Sequence, residues 1–227
     1  MREPADGFVL EAGALRVALP PGGDEVLRGA SLALRAGEVV DLAGPSGSGK
    51  TTLLRALARL LPGTRGELAL DGVPAAETPP EAWRARVALV PQLPAVWPGT
   101  VEENLTMPWR LKIRAASPRP DRDALRRALA EVGLADVEPE RDAARLSVGQ
   151  KARVTLLRAA LTSPRVLLLD EPDANLDDDA ADAVAAFVAR FAARGGAVLR
   201  VRHLRRGAPP HRRLRLRDGQ VREVRGA

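Results

Sequence analysis

A glycine-rich loop is the feature that most constrains the fold of this chain. The run Gly44-Pro45-Ser46-Gly47-Ser48-Gly49-Lys50-Thr51 stands between residues 38–43, an apolar run of strand length, and the helical pattern of residues 50–61. Glycines at these spacings let consecutive backbone N–H groups converge on an anion at a helix amino terminus, where the helix dipole favours negative charge. Strand, loop and helix together predict a phosphate-binding loop of a nucleotide-binding α/β fold.

The last residues of this loop have separate expected roles. Lys50 is expected to reach the β- and γ-phosphates and Thr51 to hold Mg²⁺, with Thr52 beside it in the same phosphate site. Of the 35 basic residues 32 are arginine, and only Lys50, Lys112 and Lys151 are lysine. A lysine at the one position that requires it favours a phosphate site over a glycine turn without a ligand.

An acidic pair follows the apolar run 166–169. Asp170 and Glu171 come at the carboxyl end of this predicted strand, where ligands bind in open α/β sheets. Because Mg²⁺ prefers oxygen ligands, Asp170 is expected to hold the metal. Glu171 is expected to polarise the attacking water as the general base. Such a pair alone is usually a solvated turn, but together with the loop it predicts nucleotide hydrolysis.

Short strand patterns alternate with longer helical patterns along the chain, which indicates an α/β fold. Further strands are expected at 86–90 and 197–201, antiparallel edge strands at 8–19 and 31–34, and a hairpin turning at Asp218-Gly219. Between 100 and 160 no strand is expected, and helices are predicted to begin at Thr100, Asp121 and Ser147. We therefore expect a single domain, 1–227. Its P-loop NTPase core sheet with an antiparallel β edge would comprise 1–99 and 162–227, and 100–161 would form an inserted helical subdomain.

Composition narrows the classes of function. The chain has no cysteine, which excludes a disulfide framework, a thiolate metal site and a cysteine nucleophile. The net charge of +6 is typical of nucleic-acid or membrane-surface binding. However, residues 190–227 contain twelve arginines against Asp218 and Glu223, so residues 1–189 carry a net −4. The basic character is confined to one segment, and nucleic acid is not the expected partner.

Leu146-Ser147-Val148-Gly149-Gln150 begins a predicted helix between the loop and the acidic pair. Here the sequence resembles the nucleotide-binding subunits of ATP-binding cassette (ABC) transporters. Further elements of that family occur in the family's order, namely Gln92, the segment Asn175-Leu176-Asp177 and His203. The resemblance covers nearly the whole chain and implies an ATPase that binds ATP and Mg²⁺ and forms a head-to-tail homodimer around two ATP molecules. Each ATP would lie between the Lys50 loop of one subunit and the Ser147 helix start of the other.

The resemblance also implies roles for single residues. Ser147, Gly149 and Gln150 would contact the nucleotide of the opposite subunit. Gln92 would sense Mg²⁺ or the attacking water and link the site to the transmembrane partner, and His203 would touch the γ-phosphate. Taken one at a time, a plain helix cap at 147, a surface residue at 92 and a solvated histidine at 203 are equally good interpretations.

Val148 and Leu19 depart from the family's pattern, whereas Asp177 matches it. Val148 stands where the family usually has glycine, so reduced sandwiching of ATP is expected. Leu19 occupies the place of the aromatic residue that stacks on adenine, and an aliphatic side chain gives contact without π-stacking. Asp177 would organise the seam of the dimer.

The segment after Gln92 carries the resemblance to a subfamily. Its Pro91-Gln92-Leu93-Pro94, Trp97 and Asn104-Leu105 to Pro108-Trp109 look like the ATPase subunit of a small bacterial exporter group linked to iron export. That group has a separate multi-spanning permease as partner, which implies a cytoplasmic protein peripheral to the inner face of the cell membrane. Alternatively, Trp97 and Trp109 are ordinary packing residues with no role in binding a permease.

A soluble ABC ATPase acting on nucleic acid or ribosomes is the second candidate, because an arginine-rich segment suits phosphate contacts. Such proteins usually carry paired cassettes or a long coiled coil, and neither fits in 227 residues. A regulatory module without hydrolysis is disfavoured because Glu171 is present. No signal peptide and no apolar run of the roughly 18 residues that span a bilayer is recognised in the sequence.

Overall fold

The computed structural model describes residues 7–19, 23–202 and 209–224. Within these ranges the chain forms ten strands and six α-helices. The strands are β1 (Phe8–Ala18), β2 (Glu25–Arg35), β3 (Val39–Ala43), β4 (Arg65–Leu70), β5 (Val73–Pro74), β6 (Val87–Val90), β7 (Val166–Asp170), β8 (Ala197–Val201), β9 (Arg212–Arg217) and β10 (Gln220–Glu223). The helices are α1 (Lys50–Leu57), α2 (Pro80–Arg86), α3 (Val101–Thr106), α4 (Arg122–Glu131), α5 (Val148–Ala160) and α6 (Asp178–Ala193).

The strands form two sheets. Six strands lie in the order β10-β9-β3-β8-β7-β6, and all neighbours are parallel except in the β9–β10 hairpin. The other four lie antiparallel in the order β2-β1-β4-β5. The expected α/β class with an antiparallel edge is confirmed. Strand β7 is buried on both faces, which explains why its sequence is apolar without alternation.

Two apolar cores lie on opposite faces of the six-stranded sheet. Leu168 of β7 belongs to the core that α1 and the antiparallel sheet share, whereas its neighbour Leu169 belongs to the core formed with α3 to α6. This alternation follows from the period of two in a strand. Trp83 of α2 is fully buried in the first core, and its indole nitrogen donates to the carbonyl of Leu57 at 2.9 Å. The tryptophan thereby anchors the last turn of α1, the helix that follows the glycine-rich loop.

The helix starts between residues 100 and 160 agree with the sequence. Thr100 forms a capping box with Glu103 at the start of α3, Asp121 caps α4, and Ser147 forms a capping box with Gln150 at the start of α5. Pairing of the strand type in this segment is limited to an isolated bridge between Thr100 and Asp142.

The structure differs from the sequence-based expectations at several boundaries. Strands β4 and β5 and helix α2 were not predicted, because the first three residues of β4 are exposed and α2 begins at Pro80, directly after Pro79. Arg86 ends α2 and does not open β6. Strand β2 begins at Glu25, several residues before the predicted edge strand, and α1 ends at Leu57, short of the predicted residue 61.

Among the described residues, no helix has both the length and the apolar character needed to cross a membrane.

Candidate active site

The glycine-rich loop leads from β3 into α1 in the conformation that its glycines permit. Gly47 and Gly49 have φ angles of 73° and 96°, a region that residues with a side chain rarely adopt. A Cβ atom on Gly44 would lie 2.5 Å from the carbonyl oxygen of Leu216, and one on Gly49 would lie 2.7 Å from Cγ1 of Val26. Both glycines are therefore required by close contacts with neighbouring strands.

Lys50 folds back over this loop. Its ammonium group donates to the carbonyl oxygens of Gly44 and Pro45, both at 3.0 Å, and the residue is 8% exposed. A lysine is rarely this buried without a partner for its charge. The two carbonyls hold the ammonium at the mouth of the loop, where it supplies a positive charge for an anion.

Thr51 joins the loop to the acidic pair. Its hydroxyl donates to a carboxylate oxygen of Asp170 at 2.7 Å, and Thr52 lies half-buried next to it on α1. Burial raises the pKa of Asp170 above its ordinary value, and the hydrogen bond from Thr51 and the charges of Arg55 and Lys50 oppose this rise. The structure thus brings the hydroxyl and carboxylate predicted to hold Mg²⁺ into direct contact.

Glu171 follows β7 in an unusual backbone conformation. Its φ is 51°, and its N–H donates to the carbonyl of Val201, the last residue of β8, at 3.1 Å. The side-chain amide of Gln92 donates to its carboxylate at 2.8 Å. Gln92 follows β6 and Glu171 follows β7, and because these strands are parallel neighbours the two residues meet at one edge of the sheet.

The start of α5 is a separate feature of the surface. The Ser147 hydroxyl accepts from the N–H of Gln150 at 3.2 Å, and the Gln150 side chain accepts from the N–H of Ser147 at 3.0 Å. Val148 is 56% exposed. A Cβ on Gly149 would lie 3.0 Å from the carbonyl of Asn175, so this glycine lets α5 pack against the loop before α6. Within the described ranges, no hydrogen bond or ion pair joins the start of α5 to the Lys50 loop.

Of three further predicted positions, the structure describes two. Leu19 lies at the end of β1 and is 46% exposed. Asp177 caps α6, accepting from the N–H of Ala180 at 2.8 Å. His203 lies outside the described residues.

The segment after Gln92 is held by two residues whose roles the sequence did not reveal. Asn104 is 1% exposed and bonds both the N–H and the carbonyl of Trp97, at 2.8 and 3.0 Å. The guanidinium of Arg158 on α5 stacks over the Trp97 ring, 4.4 Å from its centre, and burial lowers the pKa of Arg158 to about 10. A polar residue inside the apolar pattern of α3 was the one signal in the sequence for Asn104. Nothing in the sequence indicated the contact between Arg158 and Trp97.

Comparisons with known proteins agree with this geometry. A family profile described as ABC transporter matches residues 27–174, more than half of the chain. Protein STAR1 of Oryza sativa subsp. japonica is 43% identical over 158 residues, which are 68% of this chain and 44% of the rice protein. The probable iron export ATP-binding protein FetA of Escherichia coli (strain K12) is 37% identical over 157 residues, or 69% of this chain and 68% of FetA.

A solved structure of the ATP binding subunit of an ABC transporter superposes with a TM-score of 0.81 and 25% sequence identity, covering 94% of this chain and 88% of the other. Fold, loop geometry and relatives lead to the same assignment. The chain belongs to the ABC transporter family and has the fold of its ATP-binding subunits.

Proposed function

We propose that this chain is the ATP-hydrolysing subunit of a membrane transporter, working as a homodimer on Mg-ATP and driving a separate multi-spanning permease. The observation that carries the proposal is the meeting of Lys50, Thr51, Asp170 and Glu171 at the carboxyl ends of β3 and β7. These four groups combine a cation for phosphate, two ligands for a divalent metal and a carboxylate for water.

The residues of the loop fit a bound nucleotide. The hydroxyl of Ser48 is buried and has no hydrogen-bond partner among the described residues, as expected of a group that a phosphate oxygen would satisfy. The loop 44–49 would surround the phosphates with backbone N–H groups, while Lys50, Thr51 and Thr52 would complete the phosphate site from α1. Leu19 would give the adenine an aliphatic contact.

The metal ligands fit Mg²⁺ by their chemistry. Thr51, Asp170 and Gln92 offer hydroxyl, carboxylate and amide oxygens, and Mg²⁺ takes a few such ligands and keeps several waters. Bound there, the ion neutralises charge on the phosphate oxygens.

Glu171 would accept the proton of the attacking water. The amide of Gln92, at 2.8 Å, orients its carboxylate, and the contact of its N–H with Val201 fixes the backbone that carries it. His203 would contribute a contact to the γ-phosphate. Removal of a general base typically slows catalysis by about 10²- to 10⁴-fold, so Glu171→Gln should retain ATP binding and lose most turnover.

A second copy of the chain would complete each nucleotide site. The start of α5 presents Ser147, Gly149 and Gln150 with the positive end of a helix of 13 residues. Facing the Lys50 loop of a partner, this helix start would close over the γ-phosphate, and ATP would hold the two subunits together. Asp177 at the start of α6 would lie at the seam, and the exposed side chain of Val148 would weaken the closure.

The permease would dock on the segment that follows Gln92. Four of the nine large apolar side chains that are exposed in the described ranges lie between residues 93 and 113, namely Leu93, Trp97, Leu111 and Ile113. Asn104 and Arg158 fix Trp97 on α5, so this surface is tied to the helix that begins at Ser147. Docked in this way, the chain would be peripheral on the inner face of the membrane. Similarity to FetA and the Gln92 segment support iron as the exported solute.

Hydrolysis is tested with the purified full chain and Mg-ATP. Lys50→Ala should reduce phosphate release to background, because the loop loses its charge for the phosphates. Lys112→Ala removes an exposed lysine outside the site and is the matched control. Unchanged turnover in Lys50→Ala, or equal loss in both variants, would contradict the assignment.

Docking is tested by the share of the chain found in the membrane fraction of cells that co-express the permease. Leu93→Glu should lower this share, whereas Val73→Glu, at a similarly apolar exposed position on β5, should not. Binding to RNA that is lost at high salt, without membrane association, would favour the nucleic-acid alternative.

A further inference from the structure

Two buried ion pairs lie on one face of β8, and neither belongs to the candidate active site described above. Arg200 pairs with Asp41 of β3, and the two side chains are 3% and 21% exposed. Arg202, which follows β8 directly, pairs with Asp173, and these side chains are 7% and 12% exposed. Nitrogen Nε of Arg202 donates to Oδ2 of Asp173 at 2.7 Å.

The pair between Arg202 and Asp173 holds the loop that carries Glu171 in place. Asp173 is only two residues beyond Glu171, and the hydrogen bonds within this turn are long, with Ala174 N–H to the carbonyl of Glu171 at 3.3 Å and Leu176 N–H to that of Asp173 at 3.4 Å. Bonds of this length hold a backbone weakly. The charge-assisted bond to Arg202 is the shortest contact of the turn with its surroundings that we find among the described residues.

The backbone conformation of Glu171 has to be stabilised by contacts of this kind. A non-glycine residue at a φ of 51° persists where the surrounding structure determines its conformation. Two contacts tie the loop to the end of β8, because Val201 accepts from the N–H of Glu171 and the next residue, Arg202, holds Asp173. Together they fix the position from which the Glu171 side chain extends.

The surroundings of the pair make its bond strong and its loss consequential. Ala181, Val184 and Ala185 of α6 line the same small cavity as Asp173 and Arg202, so water screens the two charges little. If one partner is neutralised, the other remains as a buried charge without compensation and the loop must move to solvate it.

We propose that Arg202 is a positioning residue for hydrolysis, acting through Asp173 to hold Glu171 in place for proton abstraction from water. This inference rests on the proposed function of Glu171 as the general base. It predicts that Arg202 affects the chemical step and leaves the binding of ATP unchanged, because neither Arg202 nor Asp173 belongs to the phosphate loop.

The test measures kcat and KM for Mg-ATP with the full chain carrying Arg202→Gln. A small displacement of a catalytic group commonly costs one to two orders of magnitude, so kcat should fall about tenfold with KM within about twofold of wild type. Arg202→Gln combined with Asp173→Asn pairs two neutral amides and should recover part of kcat. Asp71→Asn breaks a partly buried pair with Arg165, 2.9 Å long and outside this cavity, and should leave kcat within about twofold of wild type.

Combining Arg202→Gln with Glu171→Gln separates a positioning role of Arg202 from general destabilisation. In Glu171→Gln there is no base to position, so adding Arg202→Gln should not lower the residual turnover further. A wild-type kcat in Arg202→Gln, equal losses in Arg202→Gln and Asp71→Asn, or a further loss in the Glu171→Gln background would each overturn the inference. A wild-type chain without ATPase activity would overturn the proposed function instead.

Discussion

Replacing Asp170 by asparagine is expected to stabilise the nucleotide-free protein while it removes a ligand for Mg²⁺. Asp170 is 4% exposed, and burial raises its pKa, which means that the fold disfavours its charged form in spite of Lys50 and Arg55. A carboxyl whose pKa is raised on folding makes the folded protein less stable as the pH rises through that pKa and the group ionises. The wild type therefore carries this destabilisation at pH 7.

The structure indicates that asparagine would break few contacts. Its amide oxygen can still accept the hydrogen bond from Thr51, and Lys50 keeps its two carbonyl partners at 3.0 Å. Relief of a strained functional site typically adds 0.5–2 kcal/mol, so we expect the free energy of unfolding to rise by about 1 kcal/mol. For a chain of this size that corresponds to an increase in Tm of roughly 2–4 °C.

Thermal unfolding with and without Mg-ATP measures both effects. Without nucleotide, Asp170→Asn should melt above the wild type at pH 7, and the difference should vanish below about pH 3, where the wild-type carboxyl is neutral in both the folded and the unfolded state. With Mg-ATP, the wild type should gain stability by binding and the variant should gain much less. Asp182→Asn, an exposed position on α6, is the control. A nucleotide-free variant less stable than wild type would show that burial of the Asp170 carboxylate does not destabilise the fold.

Three further predictions concern packing and dimer closure. Trp83→Phe should lower the free energy of unfolding by about 1–3 kcal/mol in urea titrations, because the carbonyl of Leu57 stays buried without its donor; an unchanged midpoint would show that this bond is dispensable. Gly49→Ala should abolish ATP binding in calorimetry, since the new methyl group would lie 2.7 Å from Cγ1 of Val26 at a φ of 96°; wild-type affinity would contradict the close packing. Val148→Gly should raise the fraction of ATP-bound dimer in sedimentation by removing an exposed side chain from the start of α5, and a lower fraction would exclude Val148 as an obstacle to closure.

The parts of the fold that the sequence predicts best are those with strong local signals. Strands β7 and β8 were predicted to the residue because each is apolar apart from one charged residue, Asp170 in β7 and Arg200 in β8, and all five residues of each strand are buried. The helix start at Thr100 was predicted because its capping box lies within four consecutive residues, and the predicted start at Ser147 also has a capping box in the structure. The hairpin at Asp218-Gly219 forms as expected, and its alternation buries Leu214 and Leu216 while Arg215 and Arg217 are exposed.

The parts that escaped prediction depend on contacts between distant residues. Asp173 and Arg202 are 29 residues apart, and only the parallel register of β7 and β8 brings the two positions together. The stacking of Arg158 on Trp97 likewise depends on how the segment after Gln92 crosses α5. In the candidate site, the loop and the acidic pair were predictable, but the hydrogen bond between Gln92 and Glu171 required the order of the strands in the sheet.

In the proposed mechanism, two copies of this chain close around ATP and Glu171 drives its hydrolysis. The most direct measurement is the mass of Glu171→Gln in Mg-ATP, by size-exclusion chromatography with light scattering, together with the nucleotide that co-elutes. We expect a dimer with two ATP molecules for this variant, and a monomer for the same variant that also carries Lys50→Ala. A Glu171→Gln chain that stays monomeric without bound ATP, or that hydrolyses ATP at the wild-type rate, would exclude this mechanism.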